Sequence, residues 1–243
     1  LLSLQLNDRG LAEAQLKRLL DLDFQDKNLV RLYLGQIAEE QKRNDDALQW
    51  YSQVEGGEQY LPARIRAAQI LARQGRLDDG RALIRDAEVE GEVQRVQLIL
   101  AEAQLMRDFN QAPAAFELLE HALERQPDNP ELLYDYGMLA ERLDKLDILE
   151  SSLRKLIGIR PNHAHAYNAL GYSLADRNVR LPEARELIEH ALKLAPDDAF
   201  IIDSMGWVLF RQGASEEALA HLKRAYGMRP DPEIATHLAE VLW

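Results

Sequence analysis

AFIIDSMGWVLFRQGASEEALAHLKRAYGMRPD, residues 199–231, decides the architecture of this chain. An apolar helical pattern starting at Ala199 stops at Arg211-Gln212-Gly213, where glycine is the expected end of a helix. A second helical pattern, carrying Ala218, Leu222 and Ala225, ends at Pro230. Both signals recur along the chain. Pro127, Pro161, Pro196 and Pro230 are 34, 35 and 34 residues apart, and the tripeptide Arg73-Gln74-Gly75 repeats Arg211-Gln212-Gly213. Independently, Gly35, Ala68, Ala103, Gly137, Gly171 and Gly206 fall 33, 35, 34, 34 and 35 residues apart, each inside an amphipathic segment. No strand pattern competes with these helices. The chain is therefore an internal repeat of about 34 residues.

These residues resemble the tetratricopeptide repeat, a 34-residue unit of two antiparallel helices, A and B. In the copy from Ala199, Met205 and Gly206 stand at the seventh and eighth places, Leu209 at the eleventh, Ala218 at the twentieth and Pro230 at the thirty-second. The copy from Ala164 shows Tyr167, Leu170, Gly171 and Leu174, then Ala184, Ile188, Ala191 and Pro196 after one inserted turn residue. A small residue on helix A and an alanine on helix B are required where the two cross, because larger side chains would force the pair apart. The resemblance implies an all-α solenoid, a right-handed superhelix of antiparallel helix pairs, as a single domain over residues 1–243. Its register is a half repeat 1–27, full repeats 28–60, 61–95, 96–129, 130–163, 164–198 and 199–231, and a half repeat 232–243. Asn129 before Pro130, and Asp231 before Pro232, combine an N-cap with proline at the first helical position.

Composition narrows the function classes. Twenty-nine basic against forty-one acidic side chains give a net charge of -12, which repels nucleic acid and anionic membrane surfaces. The chain has no cysteine, which excludes disulfides, thiolate metal sites and cysteine nucleophiles. No apolar run approaches the roughly 20 residues needed to span a bilayer. The chain opens at Leu1 and stops at Trp243 inside an apolar helical pattern, which reads as part of a longer protein.

In the repeat, the second, fifth, ninth and twelfth places of helix A share one face by 3.6-residue geometry and line the concave side. In the first two full copies these are Leu29, Leu32, Gln36, Glu39, then Pro62, Ile65, Gln69, Ala72. Gln97, Leu100, Gln104, Arg107 and Glu131, Tyr134, Met138, Glu141 follow. The last two copies change character, to His165, Asn168, Tyr172, Ala175 and Phe200, Asp203, Trp207, Phe210. Aromatic rings beside an amide and a carboxylate suit a peptide groove. Tyr134, His165, Asn168, Tyr172, Phe200, Asp203, Trp207 and Phe210 are accordingly the candidate protein-binding groove. The same spacing of Tyr172, Trp207 and Phe210 also fits packing within the solenoid, and Trp50, on a helix B, reads as packing. The fifth places contain no lysine, which argues against the carboxylate grip of chaperone-binding repeat proteins.

Catalytic patterns are lacking. His163-Ala164-His165 lies in an inter-repeat turn with no suitably spaced third metal ligand. Asp45-Asp46, Asp78-Asp79 and Asp197-Asp198 fall at turns or helix starts, where carboxylates favour the positive end of the helix. No Gly-rich phosphate loop, H-E-x-x-H helix or G-x-S-x-G elbow occurs. The expectation is a binding protein, with no enzyme activity, metal or cofactor of its own.

A closer resemblance lies in Tyr167-Asn168-Ala169-Leu170-Gly171-Tyr172-Ser173-Leu174-Ala175-Asp176-Arg177, in Asp203-Ser204-Met205-Gly206-Trp207-Val208-Leu209, and in the ending from Pro230 to Trp243. These runs are similar to bacterial outer-membrane lipoproteins of the LbcA type, over mainly residues 127–243. The resemblance implies a periplasmic adaptor that brings a carboxyl-terminal processing protease together with peptidoglycan hydrolases. It also implies that the lipidated cysteine anchoring the protein to the membrane lies outside this sequence. Two other roles share the repeat architecture: the helical arm of a larger enzyme, and an assembly factor for an envelope complex such as a pilus or secretion machine.

Overall fold

The computed structural model describes residues 9–22 and 24–243. Among them are fourteen helices and no strands. They are α1 (Arg9–Asp21), α2 (Lys27–Glu40), α3 (Asn44–Ser52), α4 (Tyr60–Arg73), α5 (Leu77–Arg85), α6 (Glu92–Asp108) and α7 (Ala112–Arg125). The series continues with α8 (Pro130–Arg142), α9 (Leu146–Ile159), α10 (Ala164–Asp176), α11 (Leu181–Leu194), α12 (Ala199–Arg211), α13 (Ser215–Met228) and α14 (Pro232–Leu242). This is the all-α architecture of a tetratricopeptide-repeat solenoid. Helices α2 to α13 form six A–B pairs followed by α14; α2, α4 and α6 begin at Lys27, Tyr60 and Glu92, ahead of the expected repeat starts at 28, 61 and 96. The start of the 1–27 half repeat lies outside the described residues, which begin there at α1. No described helix is long and apolar enough to cross a membrane.

Two compact units divide the chain, residues 1–115 and 116–243. In the first, Leu32, Ala47, Tyr51, Ala63 and Ile70 form one core cluster, and Leu61, Ala68, Ile84 and Leu98 form another. In the second, Leu174, Ala184, Ile188, Met205, Val208 and Ala218 form a cluster shared by two repeats.

Several crossings of helix A with helix B leave no room for a larger side chain. A Cβ added at Gly171 would stand 2.7 Å from Ile188 Cγ1 and 2.9 Å from the Ala184 carbonyl oxygen. At Gly206 it would stand 2.6 Å from Leu222 Cγ and 3.1 Å from the Ala218 oxygen. In the 61–95 repeat the roles are exchanged: Ala68 occupies helix A, and Gly80 on helix B would bring a Cβ to 2.6 Å from the Ala68 oxygen. In these three repeats a glycine of one helix faces an alanine of the other, and which helix carries the glycine varies.

The turn from helix A to helix B is built the same way six times. Lys42, Gly75, Asn110, Asp144, Asn178 and Gly213 all have left-handed φ, between 56° and 84°. The amide of each donates back to the helix, Lys42 to the Glu39 oxygen at 2.9 Å and Gly213 to the Phe210 oxygen at 2.9 Å. The next amide reaches further back, Arg43 to the Ala38 oxygen at 2.8 Å and Ala214 to the Leu209 oxygen at 2.9 Å. These paired bonds satisfy the last carbonyls of helix A. The extra residue of the 164–198 repeat is Arg180, a second left-handed residue (φ 47°) that caps α11. N-caps follow the sequence pattern: Asn129 accepts from the amides of Glu131 and Leu132, Asp198 from Phe200 and Ile201, and Asp231 from Glu233.

Candidate functional site

The second unit carries every residue of the candidate groove, and the structure separates them into two groups. Tyr134, His165, Asn168, Phe200 and Phe210 keep part of their surface open, and Phe200 is 37% exposed. Helix α8 presents Tyr134, whose ring lies 5.3 Å from that of His163. His163 is the N-cap of α10 and accepts the Ala166 amide on Nδ1 at 3.1 Å, so it serves the helix start. His165 points at the N-cap of the next repeat, 3.8 Å from Asp198 Oδ2. The Arg229 guanidinium sits 4.7 Å from the centre of the Phe200 ring. Burial, then the charges of Asp135, Glu141 and Asp198, push the Tyr134 phenol up, so it stays protonated.

Asp203 and Trp207 belong to the second group. They are only 3% and 4% exposed, because α14 packs across the inner face of α12. The indole of Trp207 stacks on the imidazole of His237 with centroids 4.3 Å apart and planes at 21°. His237 Nδ1 lies 2.8 Å from Asp203 Oδ2. The Tyr172 hydroxyl joins this cluster, donating to Glu233 at 3.1 Å and lying 3.3 Å from His237 Nε2. Of the two readings of Trp207, packing inside the repeat stack is the one the structure displays, and Asp203, expected in the groove, is buried beside it. His237 was outside the sequence-derived site. The available signal is that it follows Asp203 by 34 residues, at the same place one repeat on.

Four of the five buried polar side-chain atoms without a hydrogen-bond partner, among the described residues, cluster on these two helices A. They are Asn168 Oδ1 on α10, and Asp203 Oδ1, Trp207 Nε1 and Arg211 Nε on α12. Buried polar groups are nearly always paired, so a row of unpaired ones along one face marks unspent hydrogen-bonding capacity. In the first unit Glu39, at the twelfth place of its helix A, is satisfied internally. Burial raises the Glu39 carboxyl, but bonds from Arg73 (2.6 Å) and Tyr51 (2.9 Å), with Arg66 nearby, outweigh it and hold the group below the usual carboxylate range. No set of three or more described His, Asp or Glu side chains could hold a metal ion.

Comparison with known proteins matches these features. The sequence pattern described as tetratricopeptide repeat matches residues 2–60 and 149–199. A TPR repeat-containing protein of Pseudomonas aeruginosa is 42% identical over 207 residues, or 85% of this chain. The chain spans 35% of the length of that relative. Among solved structures, the Cut9 and Hcn1 tetramer of APC/C covers 97% of this chain and 46% of its own at a TM-score of 0.61 and 16% identity. MamA of Desulfovibrio magneticus RS-1 covers 63% of this chain and 85% of its own at a TM-score of 0.53 and 20% identity. YrrB, described as a TPR protein with an unusual peptide-binding site, covers 74% of this chain and 92% of its own at a TM-score of 0.52 and 19% identity. Six helix pairs in a 34-residue register, the matched repeat pattern and these neighbours make the chain a tetratricopeptide-repeat solenoid.

Proposed function

We infer that this chain is a protein-interaction scaffold whose contact surface is the helix-A face of the 130–163, 164–198 and 199–231 repeats. The observation that carries this reading is the open row of Tyr134, His165, Asn168 and Phe200, running beside the unpaired polar atoms of α10 and α12. Rings supply contact area, and the half-buried Asn168 amide can exchange hydrogen bonds with an extended peptide backbone. YrrB, which shares the fold, has a peptide-binding site.

The finer assignment is a periplasmic adaptor at the outer membrane, tethered by a lipid anchor outside this sequence, that binds a carboxyl-terminal processing protease and its cell-wall hydrolase substrates. The motifs Tyr167 to Arg177 and Asp203 to Leu209 support it by their resemblance to lipoproteins of that type. In the full-length protein, Phe200→Ala and Asn168→Ala should each weaken co-purification of the protease about tenfold, equivalent to about 1.4 kcal/mol. Both variants unfolding like the parent while holding every partner at unchanged affinity would remove the groove assignment. Photo-crosslinking from residue 200 in cells tests the partner itself. Capture of a pilus or secretion component in place of the protease or a hydrolase would overturn the adaptor role.

A further inference from the structure

We propose that His237 makes α14 a proton-sensitive latch: the imidazolium clamps this helix over the inner faces of α10 and α12, and loss of its proton loosens the clamp. Helix α14 is anchored by few side chains. Ile234 and His237 are its buried residues, with Val241 packed at the edge of the core, so one of its two fully buried anchors is titratable. Ile234 packs with Ile202 of α12 and Ala225 of α13, an apolar contact indifferent to pH.

His237 is surrounded by acid. Asp203 comes from α12, with Oδ2 2.8 Å from Nδ1, while Tyr172 and Asp176 come from α10 and Glu233 from α14 itself. Arg211 brings a guanidinium to 5.5 Å from the Trp207 ring centre. Only the doubly protonated ring satisfies every bond in one direction. Nδ1–H then donates to Asp203, Nε2–H donates to the Tyr172 oxygen, and the Tyr172 hydroxyl donates to Glu233. A neutral ring protonated on Nδ1 offers a lone pair at Nε2, so His237 and Glu233 compete for one tyrosine proton. The neutral ring also leaves Asp203, 3% exposed and already unpaired at Oδ1, as a buried carboxylate with no cationic partner.

Burial pulls the His237 imidazole down, but the Asp203 bond and charge, with Glu233 and Asp176, outweigh it and the net shift is upward. A raised folded-state value means that the stabilisation is complete below the ordinary imidazole range, near pH ~6.5, and is lost as pH rises through the folded value. The latch therefore holds in mild acid and slackens in mild alkali.

Trp207 is a built-in reporter, since an imidazolium stacked on an indole quenches its emission. In the full 243-residue chain carrying Trp50→Phe and Trp243→Phe, it is the sole tryptophan. Its emission should rise between about pH 5 and 9 with a midpoint above ~6.5, and hydrogen-exchange protection of residues 232–242 should fall across the same midpoint. Asp203→Asn should move that midpoint down, and His237→Gln should abolish the transition whether or not α14 stays docked. A flat parent curve, a midpoint at or below the ordinary imidazole value, an unshifted Asp203→Asn midpoint, or a transition that survives His237→Gln would each overturn the latch. These readouts need no partner, so they stand or fall apart from the proposed scaffold role.

Discussion

Arg180 grips Glu150 through both carboxylate oxygens, tying the extra turn residue of one repeat to helix B of the repeat before it. Arg154 and Glu183 complete the network. The Arg180 bonds, with help from Arg154 and against the opposing effect of burial, hold the Glu150 carboxyl at about 2. A depressed value stabilises the fold above the ordinary carboxylate range, near pH ~4.3, and that contribution disappears as pH falls toward the folded value. Glu150→Gln should therefore be less stable than the parent at neutral pH, by under about 1 kcal/mol because both partners are partly solvated. Urea titrations at stepped pH should show the two proteins converging in strong acid, and a constant gap would refute the linkage.

Glycines inside helices should respond to alanine with opposite signs. Gly171→Ala and Gly206→Ala press a methyl against backbone oxygen and a neighbouring side chain, at a cost of about 1–3 kcal/mol. Gly158 and Gly227, on exposed helix positions with nothing within 4 Å of the added carbon, should each gain about 0.5–1 kcal/mol as alanine. Thermal melts of the four single variants would reveal the sign.

The left-handed turn residues make a second paired test. Lys42→Gly and Asp144→Gly remove the steric penalty of a side chain at φ near 60°, and should stabilise by up to about 1 kcal/mol after the entropy of the unfolded chain is subtracted. Gly75→Ala and Gly213→Ala impose that penalty and should cost about 1–2 kcal/mol. Chemical denaturation resolves differences of that size.

Trp207→Ala should cost about 3–4 kcal/mol of stability, since it empties a buried site between Phe210, His237 and the α12 core. Phe200→Ala, on an open position, should change stability by no more than about 0.5 kcal/mol. Loss of a partner on Trp207→Ala is therefore uninformative about the groove without an unfolding curve beside it, whereas loss on Phe200→Ala is direct.

The repeat register was legible because it rests on strong steric demands. Proline cannot continue a helix, and Gly171 or Gly206 has no tolerated replacement of ordinary size at the helix crossing. The caps at Asn129 and Asp231 were legible for the same local reason. Less could be read where a backbone property or a neighbouring repeat decides. Only Gly75 and Gly213 betrayed the left-handed turns, although Lys42, Asn110, Asp144 and Asn178 adopt the same conformation. The burial of Trp207 was hidden because 3.6-residue periodicity places a side chain on the inner face of its own helix. Whether that face meets solvent or the next helix A depends on His237, 30 residues further along.

The recurrent left-handed turn also gives the chain natural splice points. Leu143 precedes Asp144 as Arg177 precedes Asn178, each as the residue that closes a helix A, and the turn bonds run only between neighbouring amides and carbonyls. Excising residues 144–177 would join Leu143 to Asn178, the end of α8 to the turn that follows α10. One whole helix pair leaves in that operation, and the new junction inherits a turn the chain already uses. Shortening by complete units, not by arbitrary cuts, is the kind of length change this fold can absorb.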